Sequence, residues 1–217
     1  TRLEEARREA EEARQRVAFL ATASEHLAAS LDYPTTLASV ARLAVPALAD
    51  WCTVDLVEPD GTIKQMAVAH RDAGREERVR ATRQDFPPDP QGKHALVQVL
   101  HTGHPLVVAT VTEEWLRAHA RAPAHFQAMR ELGLRSYMCV PLVARDRILG
   151  ALTFSATQAG RYGADDLALA TDLARRAALA VDNARLYHEA HEALRLRDGV
   201  LSTISHDLKT PVAAILG

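Results

Sequence analysis

Two long segments without glycine or proline, residues 1–30 and 164–198, constrain the fold of this chain most strongly. Glycine and proline end helices most readily, so both segments are predicted to be long helices. In the first segment, small or apolar residues recur at alternating steps of three and four, as in the a/d seam of a coiled coil. We expect self-association through this seam, and the alternative is a surface helix lying on its own domain. The seam positions are Leu3, Ala6, Ala10, Ala13, Val17, Leu20, Ser24, Leu27 and Leu31.

The region between these helices is divided by turns and predicts an α+β domain with one antiparallel sheet. Residues 51–70 contain two strand-like runs joined at residues 59–61, Pro-Asp-Gly, which is a hairpin signal. Residues 134–156 contain two more strands across a turn at residues 145–146, and Gly150 in the second predicts a bulge or a close backbone approach. The remaining predicted elements are helices at 33–47, 71–85, 94–102, 112–120 and 123–132 and a strand at 105–110.

The composition is that of a soluble globular protein, with 47% hydrophobic and 25% charged residues among 217. A formal charge of −2 gives no general attraction to nucleic acid, and no apolar run is long enough to cross a membrane. Cys52 and Cys139 lie in apolar surroundings without metal-ligand spacing, so we expect reduced core thiols in a cytoplasmic protein. Because the chain begins with Thr1 and ends within a pattern, we expect a fragment of a longer protein.

Residues 30–185 resemble a GAF domain. The segment "LGLRSYMCVPLVARDRILGALTF" is similar to the family's strand–turn–strand, and "ADWCTVDLVEPDGTI" resembles its opening strands. The resemblance implies a GAF-like antiparallel sheet flanked by helices, with long N- and C-terminal coiled-coil helices. It also implies a small-molecule pocket on one face of the sheet or a structural dimer module. Residues 1–29 would then form an N-terminal signalling helix, and residues 186–199 a helical linker.

The sequence leaves the GAF ligand unknown. Alternation along the fourth strand places Tyr137 and Cys139 on one face and Met138 and Val140 on the other, without indicating which face holds the pocket. Cyclic-nucleotide binding is disfavoured because only "RYGADDL" resembles part of the motif found in GAF domains that bind cyclic nucleotides. Bilin attachment is disfavoured because the Cys-His pair of bilin-binding GAF domains is missing. A haem would need an axial ligand, although a lone histidine is more often a surface residue or hydrogen-bonded. The candidate ligands are His70, His94, His101, His104, His119 and His125.

We expect no metal site in this chain. His101 and His104 are separated by two residues at a helix end, and two ligands do not make a zinc site. The sequence "HEAH", residues 188–191, is one residue short of the H-E-x-x-H arrangement that places two histidines on one helix face.

The end of the chain predicts an amphipathic helix that exposes a histidine. Its apolar stripe consists of Leu201, Ile204, Leu208, Val212 and Ile215. At about 100° per residue, His206 points away from this stripe, and Thr210 shares its exposed face. Pro211 is predicted to loosen the helix just beyond them.

The segment "SHDLKTP" closely resembles the H-box of sensor histidine kinases. The resemblance implies that residues 200–217 begin the dimerisation and phosphoacceptor helix. His206 would be the phosphoacceptor, Asp207 would orient its imidazole and act as a base, and Thr210 would position a water for dephosphorylation. ATP would be bound by a domain outside this chain, because nothing in the chain resembles a nucleotide-binding site.

Two functional hypotheses follow. The first is the sensor part of a two-component histidine kinase, an enzyme as the full-length protein, which forms a homodimer through its terminal helices and transfers phosphate to a response-regulator receiver domain. The second is a non-catalytic GAF module for ligand binding or dimerisation that precedes a different output domain.

Overall fold

The computed structural model describes residues 2–30 and 32–215, and the side chains within them except those of residues 9, 192 and 196–215. Seven helices and five strands lie within these ranges. The helices are α1 (Arg2–Ala28), α2 (Tyr33–Ala47), α3 (Ala73–Asp85), α4 (Ala95–Thr102), α5 (Glu113–His119), α6 (Pro123–Leu132) and α7 (Ala164–Ile215). The strands are β1 (Trp51–Val57), β2 (Ile63–His70), β3 (Leu106–Val108), β4 (Ser136–Ala144) and β5 (Arg147–Ala156).

The five strands form one antiparallel sheet, as the sequence predicted, and their order is β2-β1-β5-β4-β3. The predicted turn at residues 145–146 is a two-residue hairpin loop in which both residues have positive φ, 48° and 61°. Such a loop matches the twist of the paired strands. The helix predicted to begin at residue 71 begins instead at Ala73, because the Asp72 carboxylate accepts a hydrogen bond from the backbone N–H of Gly74 and caps α3.

The sheet separates two apolar cores. Helices α1, α2 and α7 cover one face, where Met138, Val140, Leu152 and Phe154 are buried. Helices α3, α4, α5 and α6 cover the other face. That face is lined by Tyr137 and by other strand residues whose side chains alternate along the strand with those of the first face. The middle strands are therefore buried on both sides, which explains why they are apolar over most of their length.

Gly150 lies where β5 passes between β1 and β4. A Cβ atom added there would be 2.0 Å from the Asp55 carbonyl oxygen and 2.9 Å from the Leu56 Cα. The β4–β5 register also shifts between Leu142 and Val143, beside Gly150. The sequence prediction of a bulge or a close backbone approach at this glycine is confirmed in both forms.

The two terminal helices run parallel where they pack together. Arg16 forms an ion pair with Asp165 at 2.8 Å, and Arg176 donates to the Ser24 hydroxyl at 2.6 Å. The second half of α1 thus lies on its own domain, where its apolar residues Ala23 and Leu27 are buried.

The first half of α1 and one side of α7 remain uncovered in the single chain. Leu3 and Val17 are 81% and 69% exposed, although both belong to the predicted coiled-coil seam. The seam is therefore divided, because Leu20 and Leu27 face the domain core while Leu3 and Val17 do not. Self-association through the exposed part stays a prediction. Within the described ranges, no helix combines the length and the apolarity that a membrane crossing requires.

Replacing Gly150 by alanine is expected to destabilise the domain by about 3 kcal/mol or more, because the new methyl group would overlap backbone atoms that cannot move independently. Urea unfolding followed by circular dichroism measures the change. The matched control is Gly163→Ala, whose added Cβ meets only Asp166 at 3.9 Å and should change stability little. Equal stability of the two variants would contradict the close approach.

Candidate functional site

A cavity of about 110 Å³ lies between the sheet and helices α3, α4 and α6. It is on the face of the sheet opposite α1, α2 and α7. Its sheet wall is mostly polar and consists of Trp51, Thr53, Gln65, Tyr137, Thr153 and Ser155. Its helix side is largely apolar and includes Val79, Phe86, Leu96, Met129 and Leu132. This mixture of an apolar wall and a few polar groups is typical of small-molecule sites.

A buried ion pair forms one end of the cavity. The Asp55 side chain on β1 is completely buried and accepts a hydrogen bond from Arg83 on α3, which lines the cavity. Burial raises the pKa of Asp55, while the charge of Arg83 and a hydrogen bond from Thr53 oppose that rise. Charged groups are rarely buried without a partner because the loss of hydration is costly, so Arg83 and Asp55 hold α3 against the sheet as a unit.

Two neutral histidines form the side of the cavity next to this pair. The His94 Nδ1 atom accepts a hydrogen bond from the Leu96 backbone N–H at 3.2 Å, which caps helix α4. The His125 Nδ1 atom accepts from the Arg121 backbone N–H at 3.2 Å. Both rings are nearly parallel, 4° apart, and Phe86 stacks on His125 with ring centroids 4.9 Å apart. Since each Nδ1 atom is an acceptor, each neutral ring carries its proton on Nε2.

The Tyr137 hydroxyl is a buried polar group without a hydrogen-bond partner. The phenol lines the cavity from β4, and its residue is 5% exposed. Burial raises the pKa of Tyr137 well above its usual value, and although the Thr153 hydroxyl lies near, the geometry between them is not that of a hydrogen bond. An unpaired buried hydroxyl is unfavourable, so it marks a position where a ligand or water could supply a partner.

Neither cysteine supports thiol chemistry at the cavity. Cys52 and Cys139 are free and fully buried, and neither lines the cavity, which confirms the sequence prediction of core thiols. Burial raises the pKa of Cys139 to about 12 and raises the pKa of Cys52 further. A thiol reacts as its thiolate, so both are inert at neutral pH.

The three predicted phosphoacceptor-site residues, His206, Asp207 and Thr210, lie outside the residues whose side chains the structure describes. Their predicted roles therefore stay predictions. In "RYGADDL", Asp166 binds Arg161 at 2.9 Å and accepts from the Gly163 N–H at 3.0 Å, so this segment begins α7 and does not line the cavity.

Of the six histidines considered as possible metal or haem ligands, only His94 and His125 line the cavity. No group of three or more metal-binding side chains lies together in the described part of the chain. In "HEAH", His191 contacts the Tyr187 hydroxyl at 3.2 Å.

The sequence did not single out the ion pair, and His94 and His125 were two of six candidate histidines with nothing to set them apart. One signal was available for the ion pair, because Asp55 stands within the apolar run "WCTVDLV" and a carboxylate in a buried strand requires a cationic partner. No comparable signal distinguishes His94 and His125 from the exposed histidines, since their burial depends on how α4 and α6 pack on the sheet.

A protein-family model matches most of this chain. The family model described as GAF domain matches residues 32–181. The chain belongs to the GAF domain family. Among curated proteins, no sequence matches it.

Solved structures share this fold at low sequence identity. The GAF domain of a phosphoenolpyruvate-protein phosphotransferase from Coxiella burnetii is 17% identical with a TM-score of 0.63, covering 80% of this chain and 96% of that one. A free methionine-R-sulfoxide reductase from Neisseria meningitidis, solved with its substrate, is 18% identical with a TM-score of 0.63, covering 81% and 93%. A domain of a putative two-component sensor histidine kinase protein from Sinorhizobium meliloti is 13% identical with a TM-score of 0.51, covering 71% and 94%. At these identities the likeness shows the GAF fold alone.

Acid is expected to destabilise the GAF domain through His94. Burial lowers the pKa of His94 to about 3, and the charge of Arg83 adds to this effect. The unfolded chain takes up a proton at His94 below about pH 6.5 and the folded chain does not, so stability is fully present above that pH and is lost as the pH falls toward 3. At pH 5 the loss is about 2 kcal/mol.

The variant His94→Asn keeps a capping side chain and removes the titrating group. Urea unfolding at pH 7.5 and pH 5 should show a smaller acid-induced loss in this variant, by about 2 kcal/mol. The other histidines are common to both proteins and cancel in the comparison. The same loss in both proteins would contradict the assignment of a neutral His94 in the folded domain.

The buried pair Arg83–Asp55 is expected to be strongly coupled. Arg83→Met should cost about 3–5 kcal/mol of stability because it leaves a buried carboxylate alone. The double variant Arg83→Met/Asp55→Asn should recover much of that loss, giving a coupling free energy of about 1.5 kcal/mol or more in a double-mutant cycle of unfolding free energies.

The matched control for this cycle is the exposed pair Arg78–Glu131, which also involves an arginine of α3, at 2.9 Å. Both of its side chains are more than half exposed, so its coupling should stay below about 1 kcal/mol. Similar coupling in the two cycles would show that burial does not strengthen the Arg83–Asp55 interaction.

Proposed function

We propose that this chain is the sensor part of a two-component histidine kinase, in which the GAF cavity binds a small molecule and controls phosphorylation of His206. The observation that carries the proposal is the segment "SHDLKTP", which lies on the same helix, α7, that packs against the sheet. The proposal includes an ATP-binding domain outside this chain, a receiver domain as partner and a cytoplasmic location.

The position of α7 supports communication between the cavity and the helix. Strand β4 directs Tyr137 into the cavity and the next residue, Met138, into the core that α7 covers. A ligand that moves β4 therefore acts on α7 through a single layer of backbone. At the tip of the β4–β5 hairpin, Arg145 forms an ion pair with Asp182 of α7 at 2.9 Å.

In the proposed reaction, a ring nitrogen of His206 attacks the γ-phosphorus of ATP. A nitrogen–phosphorus bond forms, the bond to the β–γ bridging oxygen breaks, and ADP leaves. Asp207 orients the imidazole and assists as a base, and the phosphoryl group then passes to a receiver aspartate. Thr210 positions the water that hydrolyses the receiver phosphate in the reverse activity.

Exposed apolar residues on the terminal helices support the proposed homodimer. Leu3 and Val17 of α1 lie two heptads apart, and Leu179 and Leu186 of α7 lie one heptad apart. Apolar side chains at heptad spacing are the usual contacts of parallel helices in dimers. Two dimer packings of α7 would present His206 differently, and a ligand shifts their balance only by its difference in affinity for the two.

The competing hypothesis is a GAF module that feeds an output other than a kinase. The similar structures come from proteins with several different names, including phosphoenolpyruvate-protein phosphotransferases and a GAF domain/HD domain protein from Geobacter sulfurreducens. In that case His206 would accept no phosphate.

The test is phosphorylation of the chain with labelled ATP in the presence of its ATP-binding domain. We expect an acid-labile phosphate on the chain, no label on His206→Ala and full label on the control His188→Ala, an exposed histidine of the same helix. The variant Thr210→Ala should accept phosphate from ATP normally but lose dephosphorylation of the receiver. Label that persists in His206→Ala, or no label on the unaltered chain, would refute the proposed acceptor.

A further inference from the structure

The cavity is small enough to limit its ligand severely. Its volume is about 110 Å³, whereas an engineered protein cavity of roughly 150 Å³ accommodates benzene. By this comparison, its ligand has at most roughly six non-hydrogen atoms inside the cavity. A nucleotide, a bilin or a haem is several times larger than this volume.

The histidine, tyrosine and arginine side chains of the cavity present hydrogen-bond donors to it. His94 and His125 each use Nδ1 to accept a backbone N–H, which leaves an Nε2–H donor on each ring. The Tyr137 hydroxyl has no partner, and the Arg83 guanidinium has more N–H groups than its bond to Asp55 uses. The one carboxylate at this end, that of Asp55, is fully buried and occupied by Arg83. The matching ligand group is an acceptor.

The charges around the two imidazoles favour an anionic acceptor. After burial, the largest influences on the pKa of His125 are the positive charges of Arg121 and Arg83, and both lower it. The same arginines lower the pKa of His94. A negative charge beside these rings is therefore stabilised, whereas an amine would meet donors and positive charge.

We infer that the cavity binds a small monocarboxylate of about the size of butyrate, with its carboxylate on the donors of Tyr137, His94, His125 and Arg83 and its alkyl group against the apolar helix wall. This inference rests on the proposed sensing function and names its ligand class. Inorganic phosphate fits less well, since it has no apolar part to cover Val79, Leu96 and Met129.

The experiment is calorimetric titration of the chain with sodium butyrate, 1-butanol and butylamine at constant ionic strength. We expect butyrate to bind at least about 10-fold more tightly than either analogue, because a hydrogen bond to a charged group contributes more than one to a neutral group. Inorganic phosphate is a further probe and should bind more weakly than butyrate.

The decisive variant is Tyr137→Phe, with Tyr162→Phe as its matched control. Both tyrosines are 5% exposed and have hydroxyls without a hydrogen-bond partner, but only Tyr137 lines the cavity, while Tyr162 lies in the opposite core. Removing an unpaired hydroxyl should not reduce stability in either variant. Butyrate affinity should fall about 10-fold in Tyr137→Phe and stay unchanged in Tyr162→Phe.

Three results would overturn the inference: no butyrate binding, equal binding of 1-butanol or phosphate, or equal affinity in Tyr137→Phe and the unaltered chain. The kinase proposal is tested separately. A chain that binds butyrate through Tyr137 but never accepts phosphate at His206 supports the ligand class and refutes the kinase. A chain that accepts phosphate but binds butanol as well as butyrate refutes only the ligand class.

Discussion

Burial of the sheet on both faces is the constraint on which the rest of this structure depends. Strands β1, β5 and β4 are covered by α1, α2 and α7 on one side and by shorter helices on the other. Because successive side chains of a strand alternate between faces, each strand contributes to both cores. The cavity and helix α7 are therefore separated by one layer of backbone, and Gly150 allows that layer to pack without a side chain where the strands come closest.

The cavity face contains polar groups whose burial is unfavourable for folding alone. Asp55 and Arg83 compensate each other, His94 and His125 are held neutral, and the Tyr137 hydroxyl remains unpaired. A domain selected only for stability would place apolar side chains at these positions. Polar groups that converge on a cavity, in a sheet otherwise packed with apolar side chains, are what a binding site requires.

The architecture could be predicted from the sequence because local signals determine it. Pro34 and the Pro-Asp-Gly turn at residues 59–61 gave the start of α2 and the first hairpin, and alternation gave the two faces of β4. The site could not be predicted to the same depth. Both faces of β4 are apolar enough to be buried, so the pattern does not reveal which face encloses a cavity.

The sequence also could not predict that the α1 seam is divided between a buried and an exposed part, because a heptad pattern is the same whether the helix packs on another chain or on its own domain. Leu27 is buried against the domain while Leu3 is exposed, and only the tertiary packing of α7 distinguishes them. The proposed phosphoacceptor role of His206 rests on motif resemblance, which needs no tertiary information.

We propose that the state of the cavity controls phosphorylation of His206. The most direct measurement is the initial rate of His206 phosphorylation in a protein that joins this chain to its ATP-binding domain, with Ser155→Leu compared with the unaltered protein. Ser155 lines the cavity and is 3% exposed, so the larger side chain fills part of the ligand's space. The account predicts a rate that differs several-fold and no longer responds to butyrate, with the fold retained by circular dichroism. A folded variant phosphorylated at the unaltered rate, with the same response to butyrate, would contradict it.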